Sequence, residues 1–332
     1  MEDNIKKEQG FKRNVIVIIN PRGEPMNTNT VLKLKIFKAA AGAVNGVFNK
    51  LVYNRDMPEV GNHIKDLAYG ENVKHKLDVV IPKCQGPYPI VVYIHGGGWC
   101  IGDKKSYTRI CKVMAHKGYL VFNINYRLSP EHNYPSQLKD VASAISFIYS
   151  IAHKYNGDCS RFFLAGDSAG AHLSSWYAAA LNSSSMFESA GISGVIPRES
   201  LKGLLLFYGA YDLEKAVKSG FGYGIFDARM MLEGFMGDSL EKCRDMVYQA
   251  SPLNFINEAF PPSFVCSSEK DRLHGESVRL IDKMADLGIE HEQLIYTLDK
   301  YPQLEHGFIS IAWEQCSKDA LDKAICFMDK HI

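Results

Sequence analysis

Residues 162–176 read FFLAGDSAGAHLSSW, with a single serine, Ser168, between Gly166 and Gly170 where an apolar run gives way to a helix-like one. A serine hydroxyl attacks a carbonyl only with help: an adjacent base, a third group that orients the base, and N–H donors for the oxyanion that develops. GxSxG spacing alone is weak evidence, and its setting carries more. RFFLAG (161–166) reads as a buried strand and AHLSSWYAAAL (171–181) as a helix, the strand, sharp turn and helix that expose a nucleophile. Small residues at 166 and 170 let strand and helix approach. The amide of Ala169, at the start of that helix, points into the same space with the positive end of the helix dipole behind it.

Further donors are expected from His95-Gly96-Gly97-Gly98-Trp99, directly after the apolar run IVVYI. Three consecutive glycines let backbone amides approach a bound carbonyl with no Cβ in the way. Phosphate binding is disfavoured, because no Lys-Ser/Thr pair follows in P-loop spacing and no GxGxxG is present. Among eleven histidines, His306 in LEHGFIS follows the last predicted strand, where a loop delivers it to the sheet's carboxyl edge. His172, one helical turn past Ser168, is expected to face the packing side of its helix. The segment SFVCSSEKDRLHGE (263–276) offers two acids. Asp271 lies farther into the loop with a helix after it and is the better choice; Glu269 stays as the alternative, since geometry decides between them. The order Ser168, Asp271, His306 is that of α/β-hydrolases.

These residues need a scaffold. Strand-like runs occur at 77–82, 90–96, 119–126, 161–166, 203–209, 263–268 and 292–298, with helix-length segments around 106–117, 136–155, 169–182, 275–287 and 314–330. Continuous apolar strands separated by helices predict an α/β class with a mostly parallel sheet covered on both faces. Two stretches break the alternation. A helix candidate, TVLKLKIFKAAAGAVNGVFNKLVY, lies in the first 55 residues, and residues 211–255 interleave Gly220, Gly222 and Gly224 with aromatics before a Met-rich helical run. The reading is an N-terminal cap segment, 1–55, and a catalytic domain, 56–332, with a cap insertion at about 211–255. Phe221, Tyr223, Phe226, Met230 and Met231 would close an apolar, finite cavity from above.

Composition sets the bounds. The chain has 332 residues, 46% hydrophobic, enough for a large core, and 38 basic against 37 acidic residues. A net charge of +1 gives no global field toward nucleic acid or an anionic membrane, so neither is expected as a partner. Eight cysteines form no CxxC pair, which suggests reduced thiols and a cytoplasmic setting. The N-terminus does not read as a signal peptide, and no run approaches the length of a membrane span. With no HExxH and no CxxC, no metal is expected. The chemistry of an activated serine requires no cofactor, and a homodimer is compatible with the composition.

HGGGW, YRLSPEHNYPSQLKD (126–140), GDSAG, the Asp271 segment and HGF, in this order, resemble the hormone-sensitive-lipase family of carboxylesterases and lipases over about residues 77–330. The resemblance implies that Gly97, Gly98 and Ala169 donate to the oxyanion, that His95 and Gly96 support the glycine loop, and that the irregular stretches form the cap. Asp140 and Glu131 are left as structural. The expected substrate is a small-molecule ester hydrolysed through an acyl-enzyme, and a finite apolar cavity of the kind expected above suits short acyl chains. Two features depart from the family: Ala171-His172 stands where many relatives carry Gly-Asn, and Trp99 replaces the more frequent Phe. Both are shared with arylformamidases of the same fold, which keeps a formamide substrate as the alternative. A non-catalytic relative, like the plant gibberellin receptor that lacks the histidine, is disfavoured by His306.

Overall fold

A computed structural model of the chain describes residue 18 and residues 23–193, 196–223 and 226–332. Among the described residues ten strands run in chain order: β1 (Asn62–Ala68), β2 (Lys76–Ile81), β3 (Tyr88–Ile94), β4 (Leu120–Ile124), β5 (Gly157–Asp167), β6 (Leu201–Phe207), β7 (Gly222–Tyr223), β8 (Phe226–Asp227), β9 (Ser263–Ser268) and β10 (His291–Tyr296). The helices are α1 (Thr28–Phe48), α2 (Thr108–His116), α3 (Ser136–Ile151), α4 (Ala169–Ala180), α5 (Ser184–Ala190), α6 (Leu213–Lys218), α7 (Ala228–Met236), α8 (Arg244–Ala250), α9 (His274–Asp286) and α10 (Gln315–Lys330).

Eight of the strands form one sheet in the order β1-β2-β4-β3-β5-β6-β9-β10. The pairs from β4 to β10 are parallel, and the β1–β2 and β2–β4 pairs are antiparallel. Every residue of β3, β4 and β9 is buried, as a strand covered on both faces must be. The two-residue period of β3 sorts its side chains. Ile90, Val92 and Ile94 pack with Leu138 and Val141 of α3, Leu173 of α4 and Leu280 of α9; Val91 and Tyr93 pack with Ile110 and Met114 of α2 and Leu321 and Phe327 of α10. Each face is thus closed by its own set of helices. This is the α/β-hydrolase architecture.

The seven predicted strands and five predicted helical segments all appear within a few residues of their expected positions. The strand Asn62–Ala68 lies outside the seven predicted runs. NHIKDLA lies at the sheet edge with every residue at least partly exposed; it lacks the apolar run that marks a central strand, and a register shift between Ile64 and Leu67 breaks its alternation. Among the described residues no helix is long and apolar enough to cross a membrane.

Candidate active site

The chain leaves β3 for β4 on one side and later lays β5 on the other, so β3 and β5 are neighbours with Ile94 beside Gly166. At such a reversal the loops leaving the carboxyl ends diverge and open a crevice. The glycine loop leaves β3 and the Ser168 turn leaves β5 on its two sides. Ser168 has φ 51° and ψ −117°, a conformation that costs about 1–3 kcal/mol for a non-glycine residue and persists only where the surroundings over-determine it. Here Ser168 N–H donates to the Phe207 carbonyl at 2.8 Å, and the Ser168 carbonyl accepts from His172 N–H at 3.0 Å. The turn also needs Gly170: a Cβ there would sit 1.9 Å from the Ile94 carbonyl oxygen.

In the loop after β3, Gly97 and Gly98 have φ 118° and 55°, which orients their amides away from ordinary turn partners. Among the described residues no carbonyl or side chain accepts from the N–H groups of Gly97, Gly98 or Ala169. The loop is held from beneath. Asp167, next to Ser168 and buried, accepts from Gly96 N–H at 2.9 Å and from the Tyr107 hydroxyl at 3.0 Å. Burial pushes the Asp167 carboxyl up to about 6, against the Tyr107 hydroxyl and the Gly96 amide, which pull it down. His95 stacks on Tyr126 with ring centroids 4.3 Å apart, its Nδ1 lies 2.7 Å from the Gly96 carbonyl, and its own carbonyl accepts from the Tyr126 hydroxyl at 2.8 Å. Burial lowers the His95 pKa to about 4. The ring is therefore neutral near pH 7, with Nδ1–H donating to the Gly96 carbonyl.

His306 reaches the same edge from the loop after β10. Its Nδ1 lies 2.6 Å from Oδ2 of Asp271, which is itself almost fully buried. Asp271 Oδ1 accepts from Leu273 N–H at 2.8 Å, at the start of α9, so the carboxylate is fixed at both oxygens. Tyr208 and Phe221 flank the imidazole with ring centroids 4.7 and 4.6 Å away. Glu269, the alternative acid, is exposed and its Oε2 accepts from Leu298 N–H at 2.7 Å. It caps the carboxyl end of β10 and, among the described residues, makes no hydrogen bond to His306.

The two departures at 99 and 172 form one unit. Trp99 Nε1 donates to His172 Nδ1 at 3.0 Å, the Trp99 ring stacks on Phe235 at 4.7 Å, and His172 Nε2 lies 2.7 Å from the Ala250 carbonyl. With Nδ1 accepting, Nε2 must carry the proton, and burial lowers the His172 pKa to about 4. His172 is thus a neutral bridge from the glycine loop to the end of α8, on the packing side of α4. Arg127 and Asp140 form a bidentate pair whose closest contact is 2.6 Å, tying the segment after β4 to α3, and Glu131 pairs with Lys38 of α1.

Two cavities meet at Ser168. One, about 30 Å³, is lined by Gly98, Trp99, Ala169, Val217, Phe221 and Met231 among others. The second, about 240 Å³, is bordered by Phe37, Tyr53, Tyr107, His306 and Ser310. Met231 and Phe221 border both. Above them, Leu34 of α1 packs with Met230 and Met231 of α7 and with Cys100 of the glycine loop. Met230 is buried in that junction rather than on a cavity wall. Gly224 and the side chains of Tyr223 and Phe226, also expected in this cover, lie outside the described residues, as do residues 1–17 and 19–22 of the N-terminal segment. Sequence reasoning missed Asp167, Tyr107, Tyr126 and Tyr53; of these only Asp167 carried a signal, a carboxylate at the end of a run otherwise fit for burial.

A probable isoprenylcysteine alpha-carbonyl methylesterase of Arabidopsis thaliana, ICMEL1, is 34% identical over 110 residues, a match spanning 33% of this chain and only 23% of that protein's length. Among solved structures, esterase B from Lactobacillus rhamnosis superposes with a TM-score of 0.79 at 20% identity, covering 91% of this chain and 95% of that one. An esterase from the archaeon Pyrobaculum calidifontis gives 0.70 at 22%, covering 92% and 98%, and a bacterial heroin esterase gives 0.70 at 22%, covering 92% and 94%. At these identities the structures establish the fold. The family model named BD-FAE matches residues 77–284, well over half of the sequence and every strand from β2 to β9, and the chain therefore belongs to the BD-FAE family.

Proposed function

We propose that this protein is a serine carboxylesterase acting on esters with short acyl groups. The observation that carries the reading is the 2.6 Å pairing of Asp271 with His306 at a cavity that Ser168 also borders. His306, held by Asp271 with its proton on Nδ1, takes the Ser168 hydroxyl proton on Nε2 as the oxygen attacks the ester carbonyl. The amides of Gly97, Gly98 and Ala169 receive the oxyanion; a preorganised donor of this kind is worth about 2.7–4 kcal/mol in the transition state. His306 passes its proton to the departing alcohol, water takes the alcohol's place, and the steps reverse to free the acid.

The same logic assigns the two cavities. The leaving alcohol must depart beside the group that protonates it, so it occupies the 240 Å³ cavity that His306 borders. The acyl chain then enters the 30 Å³ cavity between Trp99, Phe221 and Met231, space for about two water-sized groups. In this reading α1 and the α6–α8 insertion act as a cap, and the substrate pairs a small acyl group with a larger alcohol. The esterases among the similar structures and the methylesterase relative support the ester class.

The test is a fluorophosphonate probe together with a panel of p-nitrophenyl esters, aryl formamides and amides. Labelling at Ser168 alone, its loss in Ser168→Ala, and a maximum in kcat/KM between acetate and hexanoate are expected. Labelling that survives the substitution overturns the nucleophile, and preference for an N-formyl substrate moves the reaction to formamides.

A further inference from the structure

Helix α1 carries apolar residues on two faces, and among the described residues only one of them is packed against the rest of the protein. Its inner face, with Leu34 and Val31 buried, packs over the glycine loop and α7. Positions 32, 36, 39, 40, 43 and 47 recur at helical spacing on the opposite face and are all exposed. Leu32 is 56% exposed, Ile36 50% and Val47 57%, and Leu51 just beyond the helix is 61% exposed. The face continues onto Trp313, 53% exposed, which sits under the Arg55 guanidinium at 5.8 Å; Ala312 N–H ties this loop to the Val52 carbonyl. Large exposed hydrophobics scattered singly are ordinary, whereas a contiguous set along a helix of roughly 30 Å marks a contact surface.

Charge selects what it contacts. Residues 27–55 contain five cations, Lys33, Lys35, Lys38, Lys50 and Arg55, and no Asp or Glu. Lys38 is committed to Glu131 and the Ser129 carbonyl; no carboxylate among the described residues pairs with Lys33, Lys35 or Lys50. The net charge of +1 over the whole chain conceals this local excess. A second copy is a poor occupant, because a two-fold contact along this face would bring lysines against lysines. An apolar helix face rimmed by cations is the pattern of a helix lying in the plane of a membrane interface, where acyl chains take the apolar side chains and anionic headgroups take the lysines.

We propose that the outward face of α1, from Leu32 to Leu51 with Trp313, seats the protein on an anionic lipid surface. This goes beyond the ester-hydrolase reading and does not depend on it.

The experiment is co-sedimentation of the full-length protein with vesicles of phosphatidylcholine alone and of phosphatidylcholine with phosphatidylglycerol, comparing the unaltered chain, Ile36→Asp with Val47→Asp, and Lys33→Glu with Lys50→Glu. All four positions are exposed, and near-UV circular dichroism checks that each variant keeps its fold. The unaltered chain is expected to bind the anionic vesicles and to lose binding several-fold on raising the salt; each variant pair is expected to bind about tenfold more weakly. Failure of the unaltered chain to bind anionic vesicles overturns the proposal, as does equal binding by all three proteins. So does a dimer, seen by analytical ultracentrifugation, that the Ile36 and Val47 substitutions dissociate while vesicles leave the chain in solution. Because no readout uses ester hydrolysis, a failure here is separable from a failure of the esterase reading.

Discussion

The floor of the site and its cover are held by different forces. In the floor, Asp271 grips His306 and the start of α9, Asp167 grips Gly96 and Tyr107, and Trp99 grips His172, all through directional hydrogen bonds between buried or half-buried groups. In the cover, α1 meets α7 through Leu34, Met230 and Met231, with few polar ties: Thr30 Oγ1 to Glu233 at 3.4 Å, and Asn133 beneath, donating to the Gly234 carbonyl at 2.7 Å. Buried hydrogen bonds fix angles and are expensive to leave unmade. Apolar contacts fix proximity and tolerate sliding. The floor is therefore built for geometry and the cover for shape, and substitutions in the two should fail differently.

The largest effect is expected at Asp271. Asp271→Asn should lower kcat by about four orders of magnitude with KM little changed, the loss seen when asparagine in this role imposes the wrong imidazole tautomer. Glu269→Gln should leave steady-state kinetics within about twofold, since its partner is a backbone amide remote from His306. The reverse ranking would transfer the role of acid to Glu269.

Next comes Asp167. Asp167→Ala strands the buried Gly96 N–H and Tyr107 hydroxyl and should cost about 1–3 kcal/mol in urea denaturation for each group left unpaired, with a fall in kcat as the glycine loop loses its anchor. Asp167→Asn keeps an acceptor for Gly96 and should recover much of both. The two also separate by pH. The folded protein binds the Asp167 proton more tightly than the unfolded chain does, since its pKa rises from 3.8 to about 6. The stability it contributes is full below about pH 4 and is lost as pH rises through about 6. The difference in melting temperature between wild type and Asp167→Asn should follow that window, and a flat difference from pH 4 to 7 would remove Asp167 as its source.

A smaller, non-additive effect is expected at the Trp99–His172 bridge. Trp99→Phe leaves His172 Nδ1 without a donor, and His172→Ala leaves the Trp99 N–H unmatched. A double-mutant cycle read by denaturation should give a coupling of about 0.5–3 kcal/mol; zero coupling would make the two departures from related sequences independent. The smallest effect belongs to the cover. Met231→Ala should enlarge the 30 Å³ cavity and shift the best acyl length upward by one or two carbons, each added methylene recovering at most ~0.8 kcal/mol in kcat/KM. An unchanged chain-length profile would place the acyl group elsewhere.

What could be read in advance follows the same division. Strands with continuous apolar runs, such as 90–94 and 263–268, announce themselves because burial on both faces admits little else. The elbow and the glycine loop announce themselves through residues that only special backbone conformations require. The choice of Asp271 over Glu269 turns on depth in a loop, a matter of tertiary geometry that residue type does not carry. Asp167 was legible as a residue but not as a tether, because Gly96 lies 71 positions away in sequence and meets it only through the β3–β5 pairing. The exposed face of α1 is illegible in sequence for the opposite reason: its apolar residues fall on two faces between the lysines, and only the burial of Val31 and Leu34 shows which face is covered.

The contact between Gly98 and Met231 has a consequence for engineering. A Cβ at position 98 would lie 2.6 Å from the Met231 sulfur, so the absent side chain of the glycine loop is the room into which a residue 133 positions away is packed. Grafting the 211–255 insertion of a relative onto this sheet, a natural route to new substrate ranges, transplants whatever occupies position 231 as well. A donor with a branched or aromatic residue there presses on the loop that carries the proposed oxyanion donors, while a donor with alanine leaves that loop unsupported. Libraries that exchange the insertion should therefore be built with position 231 held as methionine, or varied jointly with residues 97–99, rather than as free-standing modules.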